Sequence, residues 1–318
     1  YQSIILLKMS NRVKKINLNH SFFFFFISNI FCFLAFKFSL NVSSILCLLL
    51  ILILGVSHGS LDHLKGKKLL KLLNIKTTYI FYIIYIFISI VVVITWILFP
   101  SITLLIFLII ASFHFGKEDT QFLINNRSYF IQLLYIFKGS LIILAPLTFH
   151  FQETVAIFKL LFVENEIFYS TLNLIETNNV IQIGITLSFL SNAFLLLKSF
   201  EIKKFVIFID FFSILILNFY LTPLLAFTVY FCFLHSIRHS ISLAVELDQK
   251  NVFNGLKIFI KKALPLTFLT GVLCFIALYL LANSYNLDSA IQKIIFIGLA
   301  SLTFPHILLE YLIEKNEK

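Results

Sequence analysis

Charge is scarce in this chain. Only 13% of its 318 residues are charged while 60% are hydrophobic, a balance that excludes the pair of soluble domains its length would otherwise suggest. Alternation of apolar and polar residues is missing as well. The apolar stretches are continuous, which excludes a transmembrane barrel. There is no adjacent His–His pair, so the several histidine clusters of a membrane di-iron desaturase or hydroxylase are absent. The four cysteines, Cys32, Cys47, Cys232 and Cys274, show no metal-type spacing and read as small buried hydrophobes. Arginine occurs three times, at Arg12, Arg127 and Arg238, and methionine once, at Met9. Met9 is a candidate natural start, with a fragment as the alternative.

What is present is a succession of apolar runs, each near the ~20 residues that cross a bilayer. With no water in the hydrocarbon, such runs must be helices. The fold class expected is all-α, a polytopic membrane bundle with ten spans near 21–36, 42–60, 79–99, 101–116, 129–149, 180–197, 204–220, 222–246, 264–283 and 291–312. Residues 1–318 form one membrane domain, with 1–20 as a cytoplasmic segment and 21–312 as the bundle. The first run follows Arg12, Lys14 and Lys15 but lacks a small-residue cleavage site, so it counts as a helix and not as a signal peptide.

The net charge of +10 does not indicate nucleic acid. With both termini inside, the loops on that side hold twenty basic residues. They include Lys65, Lys67, Lys68, Lys71 and Lys76, then Lys257, Lys261 and Lys262. The outside loops hold only Lys37, Lys159 and Lys293. That asymmetry is the positive-inside pattern, and it places the protein in the cytoplasmic (inner) membrane.

The topology gives the histidines a common address. His58 in GVSHGSLDH, His114 in SFHFGKED, His235 and His239 in HSIRHS, and His306 in FPHILLE lie on spans two, four, eight and ten. All four spans run from outside to inside. At ~1.5 Å per residue the five rings lie roughly 18–26 Å from the outer ends, in one layer. Ionisable groups at such depth mark a functional site, and imidazole is the commonest metal ligand. His235 and His239, four apart, share a helix face. Asp62 follows His58 by one turn and suits orientation of that ring, as carboxylates do beside metal-bound histidines. Glu310 follows His306 in the same way. Arg238, inside a span, either snorkels or pairs with Asp62, Glu246 or Glu310. Gly55 and Gly59 form a GxxxG that permits close helix approach. Pro305 should kink the last span beside His306. Neutral imidazoles without thiolates suit Fe(II), Cu or Zn, and the residues do not choose among them. A non-enzymatic bis-histidine haem protein or transporter is the other reading of the same rings.

Taken together and in order, GVSHGSLDH, SFHFG, HSIRH and FPHILLE resemble the Brp/Blh family, the membrane β-carotene 15,15′-dioxygenases associated with microbial rhodopsins. The resemblance implies O₂-dependent cleavage of the central double bond of β-carotene into two all-trans-retinal, at a non-haem Fe(2+) site in the lipid bilayer. It implies His58, His114, His235 and His239 as catalytic iron ligands and a functional link to a rhodopsin. Asp62, His63, Arg238, His306 and Glu310 are assigned to support of those ligands or to the substrate side. Phe113, Phe115, Phe231, Phe233 and Phe304, beside the motif histidines, are candidate walls of a carotenoid tunnel.

Overall fold

The structure, a computed structural model, describes residues 2–40, 42–124, 128–197 and 202–316. The side chains of residues 2–10, of His58, and of residues 202 and 203 lie outside the described residues, as do Arg127, Lys198 and Lys318. Met9, Lys8 and Lys203 therefore enter only as backbone.

Among the described residues the chain is helical throughout. The elements are α1 (Gln2–Phe38), α2 (Ser44–Leu72), α3 (Tyr79–Leu98), α4 (Pro100–Glu118), α5 (Tyr129–Phe149), α6 (Phe151–Leu160), α7 (Glu166–Thr177), α8 (Val180–Leu197), α9 (Val206–Tyr220), α10 (Pro223–Leu247), α11 (Val252–Leu281) and α12 (Leu287–Asn316). Nine of them are long and apolar enough to cross a membrane, and the protein is a polytopic helical membrane protein.

The seventh of the ten expected spans, 204–220, is α9, with 15 residues. At ~1.5 Å per residue it is ~22 Å long, short of the ~30 Å hydrocarbon thickness. One 3₁₀ turn, Ile202–Phe205, leads into it. Its flanks are largely packed by protein, with Ile207, Phe211, Ile214 and Leu217 all buried. Within the expected N-terminal segment 1–20, residues 2–20 are the first part of α1, which continues into the first span. The connection near 150–179, which reads as a loop, holds the short helices α6 and α7. They are too short to span and show no long apolar run, which is why the sequence hides them.

Burial separates lipid-facing from protein-facing helices. α3 and α11 expose Ile83, Phe87, Ile90, Phe268, Leu273 and Tyr279, the pattern expected of helices solvated by lipid. α10 is the most enclosed of the long helices, and its centre, Tyr230 to Ser236, is a π-helical stretch. α2 is likewise interrupted by a π turn over Ile51–Gly55 and a 3₁₀ segment over Val56–Leu61. Both irregularities coincide with histidine motifs, where such breaks of the regular ladder concentrate. α12 continues as helix through Pro305.

Small residues set the closest helix crossing. A Cβ added to Gly116 on α4 would land on the carbonyl oxygen of Tyr135, and one added to Gly139 on α5 would land on that of Ser112. The two backbones touch there, as small-residue crossings allow. This crossing seats His114 and Glu118, both on α4. Gly116→Ala should therefore cost about 3 kcal/mol or more, the upper range for overpacking. A lowered apparent melting temperature in detergent would register it, and an unchanged one would contradict the crossing. The expected GxxxG is only half used. Gly55 receives the ring of Phe231 against its Cα, but Gly59 faces open space.

Candidate metal centre

Four of the five layered histidines converge at the lysine-rich end of the bundle. The rings of His114 and His235 lie 5.3 Å apart between centroids, those of His114 and His306 5.4 Å, and those of His239 and His306 6.0 Å. All four are buried, His235 to 1% exposure. The fifth, His58, lies on the backbone of the irregular segment of α2, and its side chain is outside the described residues.

A carboxylate holds each of three rings from behind. His235 Nδ1 is 3.2 Å from Asp119 Oδ1, His239 Nδ1 is 3.2 Å from Glu118 Oε2, and His306 Nδ1 is 2.8 Å from Asp62 Oδ2. An ionised carboxylate only accepts, so each Nδ1 carries the proton and donates. A ring held in that tautomer ligates through Nε2, the arrangement that orients metal-bound imidazoles. Two tyrosines fix the carboxylates in turn. Tyr230 donates to Asp119 Oδ2 at 2.6 Å and Tyr85 to Asp62 Oδ2 at 2.9 Å. His–Asp–Tyr chains thus run outward on two sides of the cluster.

Glu310 stands at the centre of the remaining contacts. Its carboxylate lies 3.9 Å from His114 Nδ1 and 3.6 Å from His306 Nε2, and Lys65 donates to it at 2.7 Å. His114, His306 and Glu310 bring one ligand atom each within 4.8 Å of one another, and so do Glu118, His239 and Glu310. Ligand atoms around one first-row metal stand about 3–4 Å apart, given bonds near 2 Å. A small closure of either group would bring its three donors within bonding distance of one metal ion. Imidazoles, carboxylates and no thiolate form a donor set that suits iron.

A layer of opposite charges surrounds the cluster. Arg238, 2% exposed, donates through Nη2 to both oxygens of Asp210, at 3.0 and 3.2 Å, and to Ser21 Oγ at 2.6 Å. Its Nη1 donates to the carbonyl of Asp119 at 3.1 Å. Burial pushes the Asp119 carboxyl up. The bond from His235 and the Arg238 charge more than reverse this, leaving it below the usual carboxylate range.

The structure departs from the sequence reading at several residues. Asp62 holds His306. Arg238 neither snorkels nor meets Asp62, Glu246 or Glu310; it pairs with Asp210. His63 bonds its own turn, with Nδ1 2.9 Å from the carbonyl oxygen of Ser60, and does not join the cluster. Asp119, Asp210, Tyr85 and Tyr230 were missed, and Glu118, which follows His114 by one turn and reads equally as its partner or as a solvated carboxylate, faces His239. Asp210 and its run VIFIDFFS carried a usable signal, since a lone carboxylate in an apolar run is itself a site marker.

An apolar cavity lies beside the cluster, with Phe115 and Phe231 standing between it and His235. It encloses about 880 Å³ of atom-free space, counting its open mouth, and Phe107, Phe115, Phe227, Phe231 and Phe296 are among its walls. Phe115 and Phe231 also pack on His235, with centroids at 4.8 and 5.8 Å. Of the expected walls these two line the cavity. Phe113, Phe233 and Phe304 pack in neighbouring hydrophobic clusters.

The chain matches, over residues 49–314, the family described as beta-carotene 15,15'-dioxygenase. A beta-carotene 15,15'-dioxygenase of Uncultured marine bacterium 66A03 is 26% identical over 275 residues, which is 82% of this chain and 90% of that protein. No solved structure matches. The matched stretch includes every element that contributes a histidine to the cluster, and the chain belongs to the beta-carotene 15,15'-dioxygenase family.

Proposed function

We propose that this membrane enzyme cleaves the central 15,15′ double bond of β-carotene with O₂, giving two molecules of all-trans-retinal. The observation that carries the reading is an apolar, phenylalanine-lined cavity whose walls Phe115 and Phe231 pack on a cluster of carboxylate-held histidines. One O₂ supplies one oxygen atom to each half, the C=C bond is replaced by two C=O bonds, and no external reductant enters the balance.

His58, His114, His235 and His239 would hold an Fe(2+) ion, and the geometry argues for His306 beside them. Its ring lies against those of His114 and His239, and Asp62 fixes its tautomer. Bound iron would supply the activation of O₂. Asp119, Glu118 and Asp62 hold three imidazoles in register and keep their Nδ1 protons in place. Phe115 and Phe231 exclude water and bring the polyene against the rings. Glu310, held by Lys65, balances the charge of the centre.

The same reading puts the enzyme in the cytoplasmic membrane with both termini inside. It takes its substrate from the bilayer and releases retinal for a rhodopsin. Retinoid chromatography on a β-carotene-accumulating bacterial host tests the reaction. All-trans-retinal as the sole cleavage product is expected. Apocarotenals of unequal length would refute the cleavage position. Metal analysis of the purified protein should find iron. His306→Ala should lose most of it, whereas full iron in that variant would return His306 to a supporting role.

A further inference from the structure

The cluster has a second approach, opposite in chemistry to the apolar cavity. A small polar cavity opens behind His235 and His239, walled by Asn17, Glu118, Asp119, Gln121 and Ser242. Its atom-free space, mouth included, is about 240 Å³. One wall is unusual. Asn17 is fully buried, yet neither its Oδ1 nor its Nδ2 has a hydrogen-bond partner. Buried amides are almost always satisfied, and an exception calls for a visiting polar group. Gln121 is engaged differently, since its Nε2 donates to Glu118 at 2.5 Å. Glu118 in turn faces His239. Asn17 thus shares the cavity wall with Gln121 and Glu118, and Glu118 leads to a ring of the cluster.

We propose that this polar cavity is the port through which the metal cation enters and leaves the site. The inference rests on the metal reading above. A hydrated divalent cation cannot pass the phenylalanine-lined cavity, because an ion sheds its water only where other oxygen atoms replace it. The polar cavity offers such atoms in sequence: the Asn17 amide, the Gln121 amide, and the carboxylates of Glu118 and Asp119. Arg238 also borders it. That charge is shared between Asp210 and Asp119 and covered by the ring of Phe122, 5.0 Å from the guanidinium carbon, so Glu118 supplies the negative charge met by the ion. Substrate and metal thus use separate doors, and a bound carotenoid does not block metal exchange.

Release of iron from the loaded enzyme to excess ferrozine, in detergent and without O₂, tests the port. Asn17→Leu keeps the volume and removes the polar atoms. Iron content at rest should match the wild type while release slows by about tenfold, because a port changes entry and exit by the same factor. Ser242→Leu on the facing wall should slow release in the same sense and serves if Asn17→Leu does not fold. β-Carotene added beforehand should leave the wild-type rate unchanged. Unchanged release in folded, loaded Asn17→Leu and Ser242→Leu would overturn the port and leave Asn17 the host of a resident water. Slowing by β-carotene would overturn it too, moving the exit to the apolar side. Protein that purifies without iron would instead fail the metal reading, before any release is measured.

Discussion

His235→Ala should make no detectable retinal in a β-carotene-accumulating host in which the unaltered protein does. His235 is the most buried of the four clustered rings. It touches His114 on one side and the cavity walls Phe115 and Phe231 on the others, so it stands where iron and polyene would meet. Alanine removes a proposed ligand and leaves the Asp119 carboxylate without its imidazole partner. Asp119→Asn separates these two losses. The ring stays, but an amide in place of the carboxylate no longer fixes the tautomer. Partners of this kind contribute roughly 10–100-fold to metal affinity. Asp119→Asn should therefore lose iron during purification and regain retinal formation at raised iron, whereas His235→Ala should not recover. Retinal from His235→Ala at the wild-type rate would remove His235 from the ligand set.

The meeting of His114, His235, His239 and His306 was legible in the sequence because position along a helix is set by residue count, and the apolar runs gave the helix ends. Each ring could be placed along its helix before any packing was known. Partners across helices could not. Asp62 follows His58 in sequence, yet the fold turns it toward His306, 244 positions away. Glu118 and Asp119 stand in KEDTQ, which reads as a solvated boundary, and only the packing of α10 against it buries them. Forty phenylalanines make nearly every turn a candidate wall, so the cavity emerges only from the fold. The short helices α6 and α7 were lost for the converse reason, since a run of 10 or 12 residues carries no spanning signal.

The charge layer behind the cluster carries the largest expected effect on stability. Arg238 and Asp210 form a bidentate pair with both side chains about 3% exposed. Asp119 and Lys138 lie near enough to interact with both, so two cations face two carboxylates in a region with almost no water. Removing one partner of a buried pair strands the other, at about 3–5 kcal/mol. Arg238→Met and Asp210→Asn should each lower the apparent melting temperature in detergent steeply and reduce the amount of folded protein in the membrane. The double variant should be more stable than the sum of the two losses, with a coupling of roughly 1–3 kcal/mol, since it removes both charges and leaves Asp119 facing Lys138. Additive losses would show that the pair is not the unit of stability. Arg238→Met as stable as the wild type would show that Asp210 is not held as a buried anion. Because Arg238 also bonds the carbonyl of Asp119, the double variant should hold its fold better than its iron. That split between melting temperature and metal content would mark the layer as the support on which the histidine cluster is aligned.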